Sequence, residues 1–258
     1  MTSLRNRTVM ITGASSGIGE ACARAFAVEG ARLLLAARRV DRLKSLADSL
    51  GDGLDTEAHV IELDVRDAAA VDAAFAELPA EWAAVDVLVN NAGLGLGLGK
   101  LHEGIVEHWD RMIDTNVKGL LHVTRAFVPG MVERGRGHVI NIGSIAGHEL
   151  YPGGNVYCAT KFAVDAITKG LRMDLVDTPI RVSTVDPGLV ETEFSVVRFE
   201  GDVERAKRVY EGIEVLTGND VADAVVYCAS RPPHVQINEI IITPTNQASA
   251  LVTSRKAQ

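Results

Sequence analysis

Ser144, Tyr157 and Lys161 have the types and spacing needed to handle a proton. They stand in N-I-G-S-I-A-G and N-V-Y-C-A-T-K-F-A-V. Tyr157 and Lys161 are four residues apart, so on a helix both side chains leave one face, a turn from each other. Ser144 comes thirteen residues before Tyr157, just after the apolar run H-V-I-N-I, which reads as a strand. A strand end beside a helix would bring the three together. A tyrosine phenol titrates near pH ~10, and an adjacent positive charge favours the phenolate, each tenfold gain in acidity corresponding to about 1.4 kcal/mol. Such a phenol exchanges protons with an alcohol or a carbonyl, and a serine hydroxyl can hydrogen-bond the same oxygen. Taken alone, the pair has a plain alternative: a phenol packed over a lysine stem.

The amino terminus supplies a second signal. Residues 8–19 read T-V-M-I-T-G-A-S-S-G-I-G: a β-branched strand, then a loop with Gly13, Ser15, Ser16, Gly17, Ile18 and Gly19, then the helical run E-A-C-A-R-A-F-A-V-E-G. This resembles the dinucleotide fingerprint, with its first two glycines spaced more widely than in G-x-G-x-x-G. Glycine lets the backbone turn sharply and approach a pyrophosphate, while the helix start offers free N–H groups and the positive end of its dipole. A second strand, A-R-L-L-L-A-A, follows at the distance of one βαβ unit. At its end, A-A-R-R-V-D-R-L places Arg38 and Arg39 where an acidic residue would bind the ribose 2′-hydroxyl of NAD. Two guanidiniums suit the 2′-phosphate of NADP instead. Asp41 reads as a first-turn acid of the next helix. The expected cofactor is NADP.

These residues need a scaffold, and the pattern provides one. Strands read at about 8–12, 32–37, 57–62, 85–89, 137–142, 180–185 and 236–243, and helices at about 17–29, 40–49, 67–77, 105–132, 155–176 and 219–230. The alternation predicts an α/β fold, a doubly wound parallel seven-stranded sheet of Rossmann type with right-handed crossovers. The dinucleotide would lie across the carboxyl ends of the strands. With 258 residues, 47% of them hydrophobic, a single domain over 1–258 has an ample core. Residues 193–218 break the alternation and read as a substrate lid. Arg198 stands there between apolar residues, and we expect it to pair with an anionic group of the substrate, a carboxylate or a sulfonate. L-G-L-G-L-G at 94–99 follows a strand without a lysine and reads as a mobile loop near the site. Residues 244–258, polar and containing Pro244, read as a tail that contacts a partner.

Composition excludes other classes. A formal charge of −8 argues against nucleic acid or an anionic membrane as partner. M-T-S-L-R-N-R-T lacks the apolar stretch of a signal peptide, and no run approaches the ~20 apolar residues of a membrane span. Cys22, Cys158 and Cys228 are an odd, scattered set, expected as free thiols in a reducing compartment, the cytoplasm. The seven histidines show no metal-ligand spacing, so no catalytic metal is expected.

Read together, the chain resembles the short-chain dehydrogenase/reductase family over about residues 7–245. The motifs are T-G-A-S-S-G-I-G (12–19), L-D-V (63–65), N-N-A-G (90–93), Asn116 in D-T-N-V-K-G, Ser144, Tyr157-x-x-x-Lys161 and D-P-G-L-V-E-T (186–192). The resemblance implies that Ser144 orients the substrate oxygen and that Tyr157 donates and accepts the proton. It implies that Lys161 lowers the tyrosine pKa and holds the nicotinamide ribose, and that Asn116 anchors a water-linked proton path. Asp64 and Val65 would contact adenine. Asn91, with Ala92 and Gly93, would line the adenosine ribose side; Pro187, Gly188, Val190 and Thr192 would meet the nicotinamide carboxamide. Read for structure alone, Asp64 would cap the helix starting near Asp67, and Asn116, a poor helix former inside a helical stretch, hints at a kink.

A narrower resemblance bears on substrate. L-P-A-E-W, N-N-A-G-L-G-L-G, P-G-M-V-E-R and T-E-F-S-x-V-R-F-x-G-D are similar to bacterial NADP-dependent 3-hydroxy acid dehydrogenases. That group implies oxidation of serine and L-allo-threonine, reduction of malonic semialdehyde, and a homotetramer. Sulfoacetaldehyde reductases share much of the pattern, and the tail I-I-I-T-P-T-N-Q-A resembles that of reductases making clavulanate-type alcohols. The substrate stays open among these. An NADP-binding regulatory protein without turnover would have little need for Asn116, Ser144, Tyr157 and Lys161 together.

Overall fold

The computed structural model describes residues 2–255. Seven strands, β1 (Thr8–Thr12), β2 (Arg32–Ala37), β3 (Ala58–Glu62), β4 (Val87–Asn90), β5 (Gly137–Ile142), β6 (Ile180–Pro187) and β7 (Glu239–Ile242), form one parallel sheet in the order β3-β2-β1-β4-β5-β6-β7. The chain winds outward from β1 to β3, then restarts beside β1 at β4. Ile11 pairs with both Leu35 and Val89 across that switch, where a parallel sheet opens a crevice at its carboxyl edge.

The inner strands are apolar without interruption because both faces are covered. Val9, Ile11, Leu33 and Leu35 pack on one side with Phe26, Leu43, Val221 and Val225. Met10, Leu34 and Leu88 point to the other side, against Val123, Phe127 and Met131. The helices are α1 (Gly17–Val28), α2 (Val40–Leu54), α3 (Ala68–Ala76), α4 (Val106–Ile113), α5 (Leu120–Glu133), α6 (Asn155–Asp174), α7 (Phe194–Arg198), α8 (Val203–Arg208) and α9 (Gly218–Ala229), with α7 and α8 inside the 193–218 excursion. No described helix is long and apolar enough to cross a membrane.

Several boundaries depart from the sequence pattern for local reasons. The helical stretch at 105–132 divides into α4, a π turn over Asp114–Gly119, and α5. The π turn falls at Asn116, whose side chain is drawn away to other partners. β7 is shorter than the apolar run because Gln236 pairs through its side chain: its Oε1 accepts from Val182 N (3.1 Å) and its Nε2 donates to Val182 O (2.7 Å). α2 runs past Gly51 and Gly53 and stops where Asp55 turns left-handed (φ 53°) and returns its N–H to the Gly51 carbonyl, a helix-closing conformation.

The excursion at 193–218 is stapled at its base. Glu191 N donates to Leu216 O (2.9 Å) and Leu216 N to Leu189 O (3.0 Å). The tail folds back on its own chain: Leu189 N donates to Gln247 Oε1 (2.8 Å), and Arg255 donates to the carbonyls of Glu211 (2.5 Å) and Val209 (3.1 Å). The last three residues of the expected tail, 256–258, lie outside the described residues.

Candidate active site

A cavity of about 550 Å³ opens at the carboxyl edge of the sheet. Its floor at one end is the turn after β1. Gly13 (φ 66°) and Gly17 (φ 58°) adopt conformations that side chains disfavour. A Cβ on Gly19 would strike the Gly13 carbonyl, so Gly19 closes the turn from behind and does not line the cavity. Asn91 Nδ2 donates to the carbonyls of Thr12 (2.9 Å) and Gly13 (3.2 Å), tying β4 to this turn. Gly17 and Ile18 then open α1, whose first N–H groups have no partner within the helix.

The two adjacent arginines are not equivalent. Arg38 lines the cavity rim and is exposed. Arg39 is committed to neighbours: Nε to Ser15 Oγ (3.2 Å), Nη2 to Ser16 Oγ (2.6 Å) and Nη1 to Glu193 (2.8 Å). Arg42 Nη1 holds the other Glu193 oxygen at 2.7 Å. Arg42 and Arg39 together draw the Glu193 carboxyl down to about 2. Asp64 and Val65 also border the cavity. Asp64 is paired with Arg66 (2.6 Å) and caps no helix; that task falls to Asp67, which accepts from Ala70 N.

At the other end of the cavity Ser144, Tyr157 and Lys161 converge. Ser144 follows β5 and caps a single helical turn, its Oγ accepting from Ala146 N (3.1 Å) and donating to Pro187 O (3.4 Å). Tyr157 and Lys161 project from α6 as their spacing requires. Lys161 is buried, and its Nζ donates to the Ile142 carbonyl at 2.9 Å. Burial pulls its ammonium down to about 8, with Asp186 opposing. Burial pushes the Tyr157 phenol up to about 12, against the pull of Arg198 and the nearby Ser144 hydroxyl. Two cations stand near the Tyr157 ring. Lys161 Nζ lies 6.0 Å from the Tyr157 ring centroid, whereas the Arg198 guanidinium carbon lies 4.7 Å from it.

Arg198, at the end of α7, is clamped by aromatics. Its Nη2 donates to Tyr151 Oη (2.9 Å), and Phe194 lies 4.8 Å beneath it. Its buried Nε has no hydrogen-bond partner. Gly95 makes room: a Cβ there would sit 2.7 Å from Arg198 Nη2. The 94–99 loop is anchored at several points rather than loose. Leu94 and Leu96 are buried, Leu94 exchanges two hydrogen bonds with the Asn116 amide (2.8 Å each), and Gly97 N donates to Arg198 O (2.9 Å). Asn116 itself stands behind the cavity, with Nδ2 also reaching Thr160 Oγ1 (3.0 Å).

Ala92, Gly93, Pro187, Gly188, Val190 and Thr192 border the cavity between its two ends. Tyr151, Phe194, Glu193 and Gln247 also line it and escaped sequence reasoning. Phe194 and Glu193 sit inside T-E-F-S and were visible there; Tyr151 and Gln247 obey no spacing rule. Distant segments also bring His148 Nε2 to 2.8 Å from Asp186 and 3.2 Å from Glu239, a grouping that histidine spacing does not reveal. The three cysteines are unpaired and buried.

A phenol and a hydroxyl beside two cations, at the end of a nucleotide-length groove, can pass a proton to and from a bound oxygen. The residue pattern of the short chain dehydrogenase family matches residues 7–202. The chain belongs to that family. It is 50% identical over 243 residues to an NADP-dependent 3-hydroxy acid dehydrogenase of Salmonella typhi, covering 94% of this chain and 96% of the relative. It is 42% identical over 257 residues to an NADP-dependent 3-hydroxy acid dehydrogenase of Schizosaccharomyces pombe, covering 99% of each. The closed form of a serine dehydrogenase complexed with NADP+ matches at TM-score 0.91 and 47% identity, over 97% of this chain and 100% of that one.

Proposed function

We propose that this short chain dehydrogenase is a cytoplasmic NADP-dependent oxidoreductase. It interconverts a small 3-hydroxy acid and its semialdehyde, of the serine, L-allo-threonine and 3-hydroxypropionate type. The observation that carries the substrate class is Arg198: a guanidinium with a buried, unpartnered Nε, facing the same cavity as Tyr157. A carboxylate satisfies that donor, and no uncharged ketone does so as well.

The cofactor end of the cavity suits a dinucleotide. Gly13, Gly17 and Gly19 leave little or no room for a Cβ, α1 presents its amino end, and exposed Arg38 is free to meet a 2′-phosphate while Arg39 braces the turn. Bound there, NADP supplies the hydride acceptor or donor at its nicotinamide ring. In oxidation, the Tyr157 oxygen takes the hydroxyl proton; in reduction it returns one to the forming alcohol. Ser144 Oγ hydrogen-bonds the same substrate oxygen. Lys161, its ammonium held against the Ile142 carbonyl, orients the nicotinamide ribose. Residues 193–218 act as a lid that excludes water.

The chain acts as a homotetramer in this reading. Leu121 on α5 and Phe162 and Met173 on α6 are exposed, apolar faces suited to another copy; a solution mass of one chain would remove this part. The main test is a substrate panel with NADP and NAD in both directions: L-serine, 3-hydroxypropionate, sulfoacetaldehyde and an uncharged ketone. We expect the highest kcat/KM for a 3-hydroxy acid with NADP, and loss of nearly all turnover in Tyr157→Phe. An uncharged ketone preferred over every acid contradicts the substrate class, and near-native turnover in Tyr157→Phe contradicts the chemistry.

A further inference from the structure

We propose that Arg198 is a positioning residue for proton transfer: standing on the face of the Tyr157 ring, it supports the phenolate, so the general base is complete only when the lid is seated. The proposal rests on the assignment of Tyr157 as the proton acceptor and goes beyond the anchoring of a substrate carboxylate.

The geometry is unusual for a residue whose only task is to meet a ligand. Arg198 places its guanidinium carbon 4.7 Å from the Tyr157 centroid, 4.8 Å from Phe194 and 5.8 Å from Tyr151. The charge of a phenolate spreads from oxygen into its ring, so a cation over the face is attracted to the ionised form more than to the neutral one. The cation is also fixed. Its Nη2 is bonded to Tyr151, its carbonyl to Gly97 N, and the missing side chain of Gly95 leaves the space it occupies.

The charged and titratable groups around Tyr157 come from three directions. α6 contributes Lys161 and Cys158, the loop before α6 contributes Tyr151, and α7 contributes Arg198. Tyr151 and Cys158 disfavour the phenolate, and Arg198 is the foremost influence favouring it against burial. Arg198 belongs to the lid, while Tyr157 belongs to the scaffold. Seating the lid therefore brings the charge to the base, and one movement would close the site and prepare it.

The test separates tuning from anchoring by removing the substrate's charge. The pH dependence of kcat/KM for NADP-linked oxidation is measured with 3-hydroxypropionate and with uncharged 3-hydroxypropionamide. Oxidation needs the phenolate, so losing a cation raises the phenol pKa and moves the midpoint to higher pH. In Arg198→Met we expect the midpoint to rise by about one pH unit with both substrates, and in Arg198→Lys a return of most of it. A rise in KM confined to 3-hydroxypropionate, with an unmoved midpoint for the amide, overturns the proposal while leaving the substrate assignment intact. A second readout needs no turnover: the phenolate absorbance titration of the NADP-bound protein, with Tyr157→Phe subtracted. An Arg198→Met curve coincident with that of the parent protein also overturns it.

Discussion

At the scale of single residues, what matters is how few groups surround the reacting phenol and how tightly each is placed. Tyr157 is half-buried, which favours its neutral form, and the cations near it act by position rather than by number. Gly95 shows how narrow that positioning is. Its absent side chain is the space in which Arg198 Nη2 and the Phe194 ring sit. The contacts are the far ends of side chains, which can swing away, so Gly95→Ala should fold with little loss of stability. We expect its KM for a 3-hydroxy acid to rise about tenfold, the worth of one charge-assisted hydrogen bond. An unchanged KM alongside unchanged thermal stability would show that Arg198 is not held by this contact.

At the scale of elements, the π turn between α4 and α5 links three parts of the site. It turns the Asn116 amide inward, where it satisfies both the N–H and the carbonyl of Leu94 and reaches Thr160 on α6. The loop from Leu94 in turn supports Arg198 through Gly97. Asn116→Ala would leave the buried Leu94 groups without partners, at a cost of about 3 kcal/mol. We expect that loss in urea unfolding, together with a lower kcat. A variant with parent stability would mean that water or backbone replaces the amide. The Arg39–Glu193–Arg42 bridge is a second such joint, binding the lid's first residue to the cofactor end of the groove. Its partners are half exposed, so it positions more than it stabilises.

At the scale of the whole molecule, stability carries a pH signature from a residue that takes no part in the chemistry. His138, the second residue of β5, is buried, with Nε2 2.7 Å from Ser183 Oγ. Burial, and then Arg181, hold its pKa well below the ordinary value of 6.5. In the unfolded chain it takes up a proton below about pH 6.5, and in the folded chain it does not. The unfolded state therefore binds more protons, and stability falls as pH drops through that value, by at most about 1.4 kcal/mol per pH unit. Asp186, raised to about 6 by burial, acts in the opposite sense and is common to both proteins compared. We expect the parent protein to lose more stability than His138→Gln between about pH 7 and pH 5. Parallel stability curves would discount the histidine.

Order along the chain was enough to determine the sheet, the glycine turn after β1, the pairing of Tyr157 with Lys161 and the strand-end placement of Ser144. Each depends on a short-range rule: alternation buries strands, glycine relieves a turn, and four residues make one helical turn. Only the folded chain decided the rest. That Arg39 braces the turn while Arg38 stays open depends on Glu193, which is remote in sequence. That Arg198, not Lys161, stands nearest the phenol ring depends on α7 folding back over α6. That the Leu94 loop is held depends on a side chain turned by a π turn. Charges and hydrogen bonds act through space, and spacing along a chain reveals them only within a single element.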